Sequence, residues 1–455
     1  MAIDTQQGKP YSPTRSRRHW WGYLYLVLLL AAAAVLLVAN LGIAPIDGLR
    51  EGYFIQIAKE IIKAPEDSWR WLFPTFAGKP LVFQAPLYPN LLALAYKVAG
   101  ESTWTARLPG AGLIVLSLFA VYGIGRELFR FTLPTILVCC LYLTFFPVVN
   151  LARLATIDGA LLSFELLAIW GFLRSRRDLR WSVVTGIGLS LIGLTHTWSL
   201  LPVLAIMLLF LAWDTPRLLV SFYFWSGLLL GLAPLLAWYL VHWYFYEPDW
   251  SWSLVRNWRD ALVLNPRISW DWLLNRPFNR YIAFVLTCTS PVLAIAVSGI
   301  KLAWKRRNWS WGKFALVAGT VGLIWAAIGF IEGFILSDTP FDRWCLLPLY
   351  FVMALLAGAR LYRLYNTPRY VPYPPAWGSF LGYSALGFLL LALYGKLSLQ
   401  VHFGWLGIAF FSSVLMTHAV SGYLLVRRDP QLIAVSLWGN YVSLLLFFCV
   451  QNKLF

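Results

Sequence analysis

Charge is scarce in this chain, and acids are scarcer than bases. Only 13% of its 455 residues are Asp, Glu, Lys or Arg, with 20 acids against 37 bases, while 60% are hydrophobic. Soluble domains carry roughly 25% charged and 45–50% apolar residues, so a water-soluble globular fold is excluded. The chain has no P-loop, no Rossmann glycine pattern and no His/Cys cluster at metal-ligand spacing. A soluble nucleotide-sugar donor therefore has no recognisable site. The five cysteines, Cys139, Cys140, Cys288, Cys345 and Cys449, lie in or beside apolar runs and read as small buried hydrophobes, with no disulfide framework. No low-complexity tract and no soluble domain interrupts the sequence.

What is present is a succession of long apolar runs. They fall near 20–40, 107–125, 132–149, 154–173, 181–195, 198–213, 218–245, 281–300, 314–336, 344–362, 378–395, 402–425 and 431–450. A bilayer core is crossed by about 20 apolar helical residues. The expected fold is an all-α integral membrane protein, a polytopic bundle of about 13 transmembrane helices. Pro86–Ala99 is too short for a span and reads as a helix on the membrane surface. The 25 Trp and 22 Tyr fit headgroup-level anchoring. The net charge of +17 does not call for nucleic acid, because most bases sit in short loops where topology and anionic lipid account for them.

The positive-inside rule orients the bundle. With residues 1–19 as a cytoplasmic tail, the inner loops hold Arg126 and Arg130, Arg174–Arg180, Lys301–Lys313, Arg360–Arg369 and Arg427–Arg428. The short outer loops are nearly free of positive charge. Two long outer loops remain, 41–106 and 246–280, both rich in Trp and Arg and suited to amphipathic segments in the headgroup layer.

Asp47 lies just past the first run and Asp158 near the outer end of the fourth helix, so both acids reach the same membrane level. Carboxylates at such places are costly and point to function. Local capping, or a pair with Arg153, is the plain alternative for Asp158. Glu165 shares the Asp158 helical face and reads as structural. Two acids and several bases at an outer face suit transfer of a sugar from a lipid-linked phosphate. That reaction needs a base for the acceptor hydroxyl and cations for the departing phosphate. Asp47 fits the base. Arg50, Arg256, Arg259 and Arg343 are the outer-face cations, since Arg can bind two phosphate oxygens at once. His196, at the outer turn between the fifth and sixth helices, either touches substrate or is a polar turn residue.

An ordered set of short motifs spans the first half of the chain. It runs Asp47-Gly-Leu-Arg50 with Tyr53, Trp71-Leu-Phe-Pro74, Gly78-Lys-Pro80, Phe83-Gln-Ala-Pro-Leu-Tyr88, Trp104-Thr-Ala-Arg-Leu-Pro109 and Gly125-Arg-Glu-Leu-Phe129, then Leu154-Ala-Thr-Ile-Asp158 and Arg343-Trp-Cys-Leu-Leu-Pro348. This set resembles the dolichyl-phosphate-mannose–protein mannosyltransferase-like family, especially its bacterial branch with the aminoarabinose transferase of lipid A. The resemblance covers roughly the first 220 residues and thins afterward.

The resemblance implies a GT-C fold with a catalytic module over 20–363 and further transmembrane helices over 364–455. It implies an inverting transfer from a polyprenyl-phosphate sugar to a lipid, glycan or protein acceptor, with no cofactor required, although outward acids permit a divalent metal. Asp47 matches the family's catalytic acid, Arg50 the arginine after it, Asp158 the acid of the fourth helix and Arg343 the later basic residue. Tyr53 and Gln84 join the substrate-binding candidates. Two positions depart from the family: Gln84-Ala85 replaces a Glu-Lys pair, and His196-Thr197 replaces a Lys-Gly. The expected setting is the plasma (inner) membrane, with a cytoplasmic N-terminus and an active site on the outer face. A flippase or transporter for lipid-linked saccharides, and a non-catalytic binder of them, are the competing readings.

Overall fold

The computed structural model describes residues 15–46, 48, 50–65, 69–81, 85–245, 295–335, 343–367 and 405–451. The chain is a multi-pass membrane protein built almost wholly of helices. Among the described residues, seven helices are long and apolar enough to cross a membrane, or eight if one bent pair counts as a single span. The long helices are α1 (Arg15–Val38), α4 (Thr103–Leu128), α7 (Ile157–Ser175), α9 (Leu200–Asp214) and α10 (Phe222–Phe245). Later in the chain come α11 (295–305), α12 (Ser310–Ile335), α13 (Leu347–Tyr365), α14 (Trp405–Val426) and α15 (Gln431–Gln451). The shorter helices are α2 (Glu51–Lys63), α3 (Leu87–Ala99), α5 (Thr132–Thr144), α6 (Phe146–Ala152) and α8 (Trp181–Gly193). The apolar run 281–300 enters the described residues only at 295, and the run 378–395 lies outside them.

The run 132–149 is not one straight span. It breaks between α5 and α6 with a bend of 59°. Pro147 has no N–H for the Leu143 carbonyl, and Phe145 is extended at the break. The α6–α7 junction, residues 153–156, bonds to the end of α1 and to the start of α2.

Small residues let the helices of the first half approach closely. A Cβ on Gly186 of α8 would run into the Leu228 carbonyl of α10, and one on Gly188 would press on the Ala168 backbone of α7. The Gly186-Ile-Gly188 stretch is thus a two-sided packing surface, as small residues are in membrane helices.

The two ends of the bundle carry different chemistry. At one end, Glu127 at the close of α4 accepts from Arg174 at 2.6 Å and pairs with Arg177 at 3.0 Å. Nearby Asp214, ending α9, accepts from Arg176 at 2.7 Å and pairs with Lys313 of α12 at 3.1 Å. These are the residues assigned to the cytoplasmic side by charge, and the fold brings them to one end. The opposite end carries the segment 41–106, with its two amphipathic helices.

Within that segment α2 buries Ile55 and Ala58 against Leu92, Ala93 and Tyr96 of α3, together with Ala106 and Ala155. A two-stranded hairpin, β1 (Thr75–Phe76) and β2 (Lys79–Pro80), turns through Ala77 and Gly78. Both turn residues have positive φ, 51° and 77°, as a tight primed turn requires. Glu60 of α2 pins this turn by accepting from Ala77 N–H at 2.7 Å and Thr75 Oγ1 at 2.7 Å. Short α3 is tied to the α8 end by the Leu87 N–H donating to the Leu194 carbonyl at 2.9 Å.

Candidate active site

The site is organised around one buried arginine. Arg107 enters from the first turns of α4, which Ser102 caps by accepting from the Thr105 N–H. It is 3% exposed, so its charge must be satisfied by protein. Its Nε donates to Glu51 Oε1 at 2.8 Å and its Nη2 to Glu51 Oε2 at 2.7 Å, a two-point pair. Its Nη1 donates to the carbonyls of Leu41 at 3.0 Å and Ala44 at 2.8 Å, and its Nη2 also donates to that of Pro45 at 2.9 Å. All five guanidinium N–H groups therefore have partners.

Glu51 extends this lock to a third element. Its Oε1 also accepts the backbone N–H of Ala155 at 2.8 Å. One carboxylate thus joins the start of α2, the start of α4 and the α6–α7 junction. Glu51 opens α2 as the acid of its first turn, where the helix dipole favours negative charge.

Asp158 follows three residues after Ala155. It lies in the first turn of α7, because residues 153–156 are not part of that helix. Thr156 Oγ1 donates to Asp158 Oδ2 at 3.0 Å. Arg153 Nη1 is bonded to the Leu36 and Leu37 carbonyls at 2.8 and 3.2 Å, and its guanidinium lies over the Phe448 ring. Those bonds tie α1 to the junction. Deeper in α7, Glu165 is buried among apolar side chains of α7, α12 and α13, in keeping with a structural role.

Tyr88 of α3 completes the cluster. It is fully buried, and its hydroxyl has no hydrogen-bond partner among the described residues. Burial first, and then the carboxylates of Glu51 and Asp158, hold its phenol above the ordinary range. The hydroxyl therefore stays protonated, within electrostatic reach of both acids. Phe54 of α2 packs edge-on against its ring at 5.4 Å.

The other candidates distribute unevenly. Arg50 sits at the N-cap position of α2, beside Glu51. Tyr53, one turn on, packs its ring on Phe76 of the hairpin at 5.1 Å. His196 lies at the α8–α9 turn, with its Nδ1 3.0 Å from Ser199 Oγ. Burial pulls its pKa down to about 4, so it is neutral near pH 7 and supplies no cation where the resembling family has lysine. Arg343 begins a short 3-10 turn before α13. Asp47, Gln84, Arg256 and Arg259 lie outside the described residues.

Glu51, Arg107 and Tyr88 were not singled out from the sequence. A signal did exist for two of them. Arg107 opens an apolar run and Glu51 opens an amphipathic helix, and each charge needs a partner in such a setting.

Part of the chain matches a family model, and its fold has solved counterparts. Residues 83–240 match the family model described as dolichyl-phosphate-mannose-protein mannosyltransferase. The structure superposes on ArnT from Cupriavidus metallidurans bound to undecaprenyl phosphate, with TM-score 0.66, 17% identity, and 95% of this chain and 77% of that one covered. Against the apo state of the same protein the TM-score is 0.62 at 18% identity, with 96% and 78% covered. No curated protein sequence matches the chain. The resemblance read from the motifs thus finds its counterpart in the fold.

Proposed function

We propose that this protein is a membrane glycosyltransferase that moves a sugar from a polyprenyl-phosphate donor to an acceptor hydroxyl at its outer face, with inversion. Asp47 takes the acceptor proton as the acceptor oxygen attacks the anomeric carbon. The bond from that carbon to the phosphate oxygen breaks, and the polyprenyl phosphate leaves with the electron pair. A phosphate is a good leaving group, so the main requirements are a placed base and cations for the departing charge.

The observation that carries this reading is the Glu51–Arg107 lock. It fixes Leu41, Ala44 and Pro45 before position 47 and Glu51 after it, and it ties them to the junction that leads into Asp158. The described residues before and after position 47 are thereby held, which favours preorganisation of a reacting group between them. Tyr88, whose buried hydroxyl has no partner among the described residues and which feels the charges of Glu51 and Asp158, is suited to donate to a substrate oxygen. Arg50, Arg343, Arg256 and Arg259 are the cations assigned to the donor phosphate, since Arg can bind two phosphate oxygens at once. The undecaprenyl phosphate bound by the structurally similar ArnT supports a lipid-linked donor.

The test is a panel of polyprenyl-phosphate sugars presented to purified protein, with sugar transfer and release followed by mass. Turnover of one donor is expected. Failure of every donor, with polyprenyl-phosphate binding intact, would replace the transferase reading with a non-catalytic binder.

A further inference from the structure

Glu165 is the carboxyl of α7 that the proposed chemistry does not use. It is 2% exposed, and its Oε1 has no hydrogen-bond partner among the described residues. A buried polar atom of this kind is costly unless something small and polar meets it. Glu165 lines a small cavity between α7, α9, α12 and α13, where every other lining side chain is apolar. About 10 Å³ is open there to the centre of a water molecule, which is about the least that holds one.

One wall of this cavity is the start of α13, at Leu347 and Pro348. That helix end has no side-chain cap, since Leu346 holds the N-cap position. Its first N–H groups have no partner within the helix, and its partial positive charge favours a carboxyl oxygen nearby. Pro348 has no N–H to give to the Trp344 carbonyl, four residues before it. In membrane helices, ordered water satisfies backbone groups that proline frees. A carboxyl oxygen without a partner and an uncapped helix start thus border one water-sized space.

We propose that this cavity holds one ordered water, through which the Glu165 carboxyl caps the start of α13. The helix continues directly from the 3-10 turn that Arg343 opens, so the water joins that turn to α7. Asp158 lies seven residues before Glu165 on the same helix, about 10 Å along its axis. Glu165 is thus a positioning residue that fixes the Arg343 turn relative to Asp158. The positioning role rests on the reading of Arg343 as a cation for the donor phosphate, whereas the water does not.

The full chain in lipid nanodiscs would be imaged at a resolution that shows ordered water between helices. One density peak at hydrogen-bond distance from the Glu165 carboxyl is expected. A map that shows other buried waters and none here would overturn the proposal. Glu165→Leu should remove the peak and speed hydrogen exchange at the Leu349 amide about tenfold. Glu165→Gln, which keeps a polar end, should retain the peak. Unchanged Leu349 exchange in Glu165→Leu would also overturn the proposal. If Glu165→Leu does not fold, the wild-type map decides alone. With a donor that the wild type turns over, Glu165→Leu should raise KM about tenfold and leave kcat within about twofold. An unchanged KM beside a lost water would overturn the positioning role. Failure of every donor would overturn the transferase reading and leave the map and exchange results standing, so the two fail separately.

Discussion

Replacing Glu51 by Gln tests the lock that the active site depends on. The carboxylate accepts three N–H groups, two from Arg107 at 2.8 and 2.7 Å and one from Ala155 at 2.8 Å. Glu51 is 1% exposed and Arg107 3%, so water screens little of the interaction. Removing one charge of a buried pair costs about 3–5 kcal/mol, because the partner charge is left uncompensated. Glutamine keeps one carbonyl acceptor, so we expect about 3 kcal/mol. The assay is thermal unfolding in detergent, paired with hydrogen exchange at the Ala155 amide. The variant should melt earlier, and that amide should exchange faster. A second arm separates charge burial from positioning. In Glu51→Leu with Arg107→Met, stability should recover relative to either single change, since apolar replacement of a buried pair is often neutral. Sugar transfer should not recover, because Leu41, Ala44 and Pro45 lose their shared donor. An unchanged melting curve and unchanged Ala155 exchange in Glu51→Gln would refute the lock.

Tyr88→Phe should lower kcat/KM by about tenfold while leaving stability unchanged or slightly raised, since it removes an unsatisfied buried hydroxyl; lost stability with normal kinetics would contradict a substrate-facing role. Burial raises the Glu60 pKa, but hydrogen bonds from Thr75, Gln56, Ala77 and Gly78 outweigh it and hold the pKa below the usual carboxylate range. Its support of the hairpin is therefore present above the ordinary carboxylate pKa and lost as pH falls through the lowered one. Pepsin cleavage at Phe76 should appear only in that acidic window, whereas Glu60→Gln should be cleaved at every acidic pH tried. At the other end of the bundle, Asp214→Asn leaves Arg176 and Lys313 without their shared carboxylate, and should destabilise by about 1–3 kcal/mol in thermal unfolding. An unchanged melting temperature there would show that water replaces the pair.

The helices were largely legible in the sequence because lipid-facing and core-facing positions are both apolar, so run length alone marks a span. The segregation of Arg126, Arg174–Arg177 and Lys313 from Asp158 and His196 was legible from charge asymmetry, and the fold does place these groups at opposite ends. The short helix over Pro86–Ala99 was also readable. The bend at Phe145 was missed, although Pro147 marked it, because the run stays apolar through the break. The start of the run 154–173 was placed too early by the same smoothing, since residues 153–156 look helical by hydropathy and are not. Glu51 and Arg107 are 56 residues apart in sequence, and no local period links them. Such a pair is set by how α2, α4 and the α6–α7 junction pack. Tyr88 acquires its meaning only once its hydroxyl is seen to be buried and without a partner among the described residues.

The most direct test of the account is donor turnover by Asp47→Asn alongside wild type, with whichever polyprenyl-phosphate sugar the wild type uses. A positioned general base contributes about 10²–10⁴ in rate. The account predicts a loss of that size, with donor binding and melting temperature unchanged. An Asp47→Asn protein that transfers sugar at the wild-type rate would contradict it.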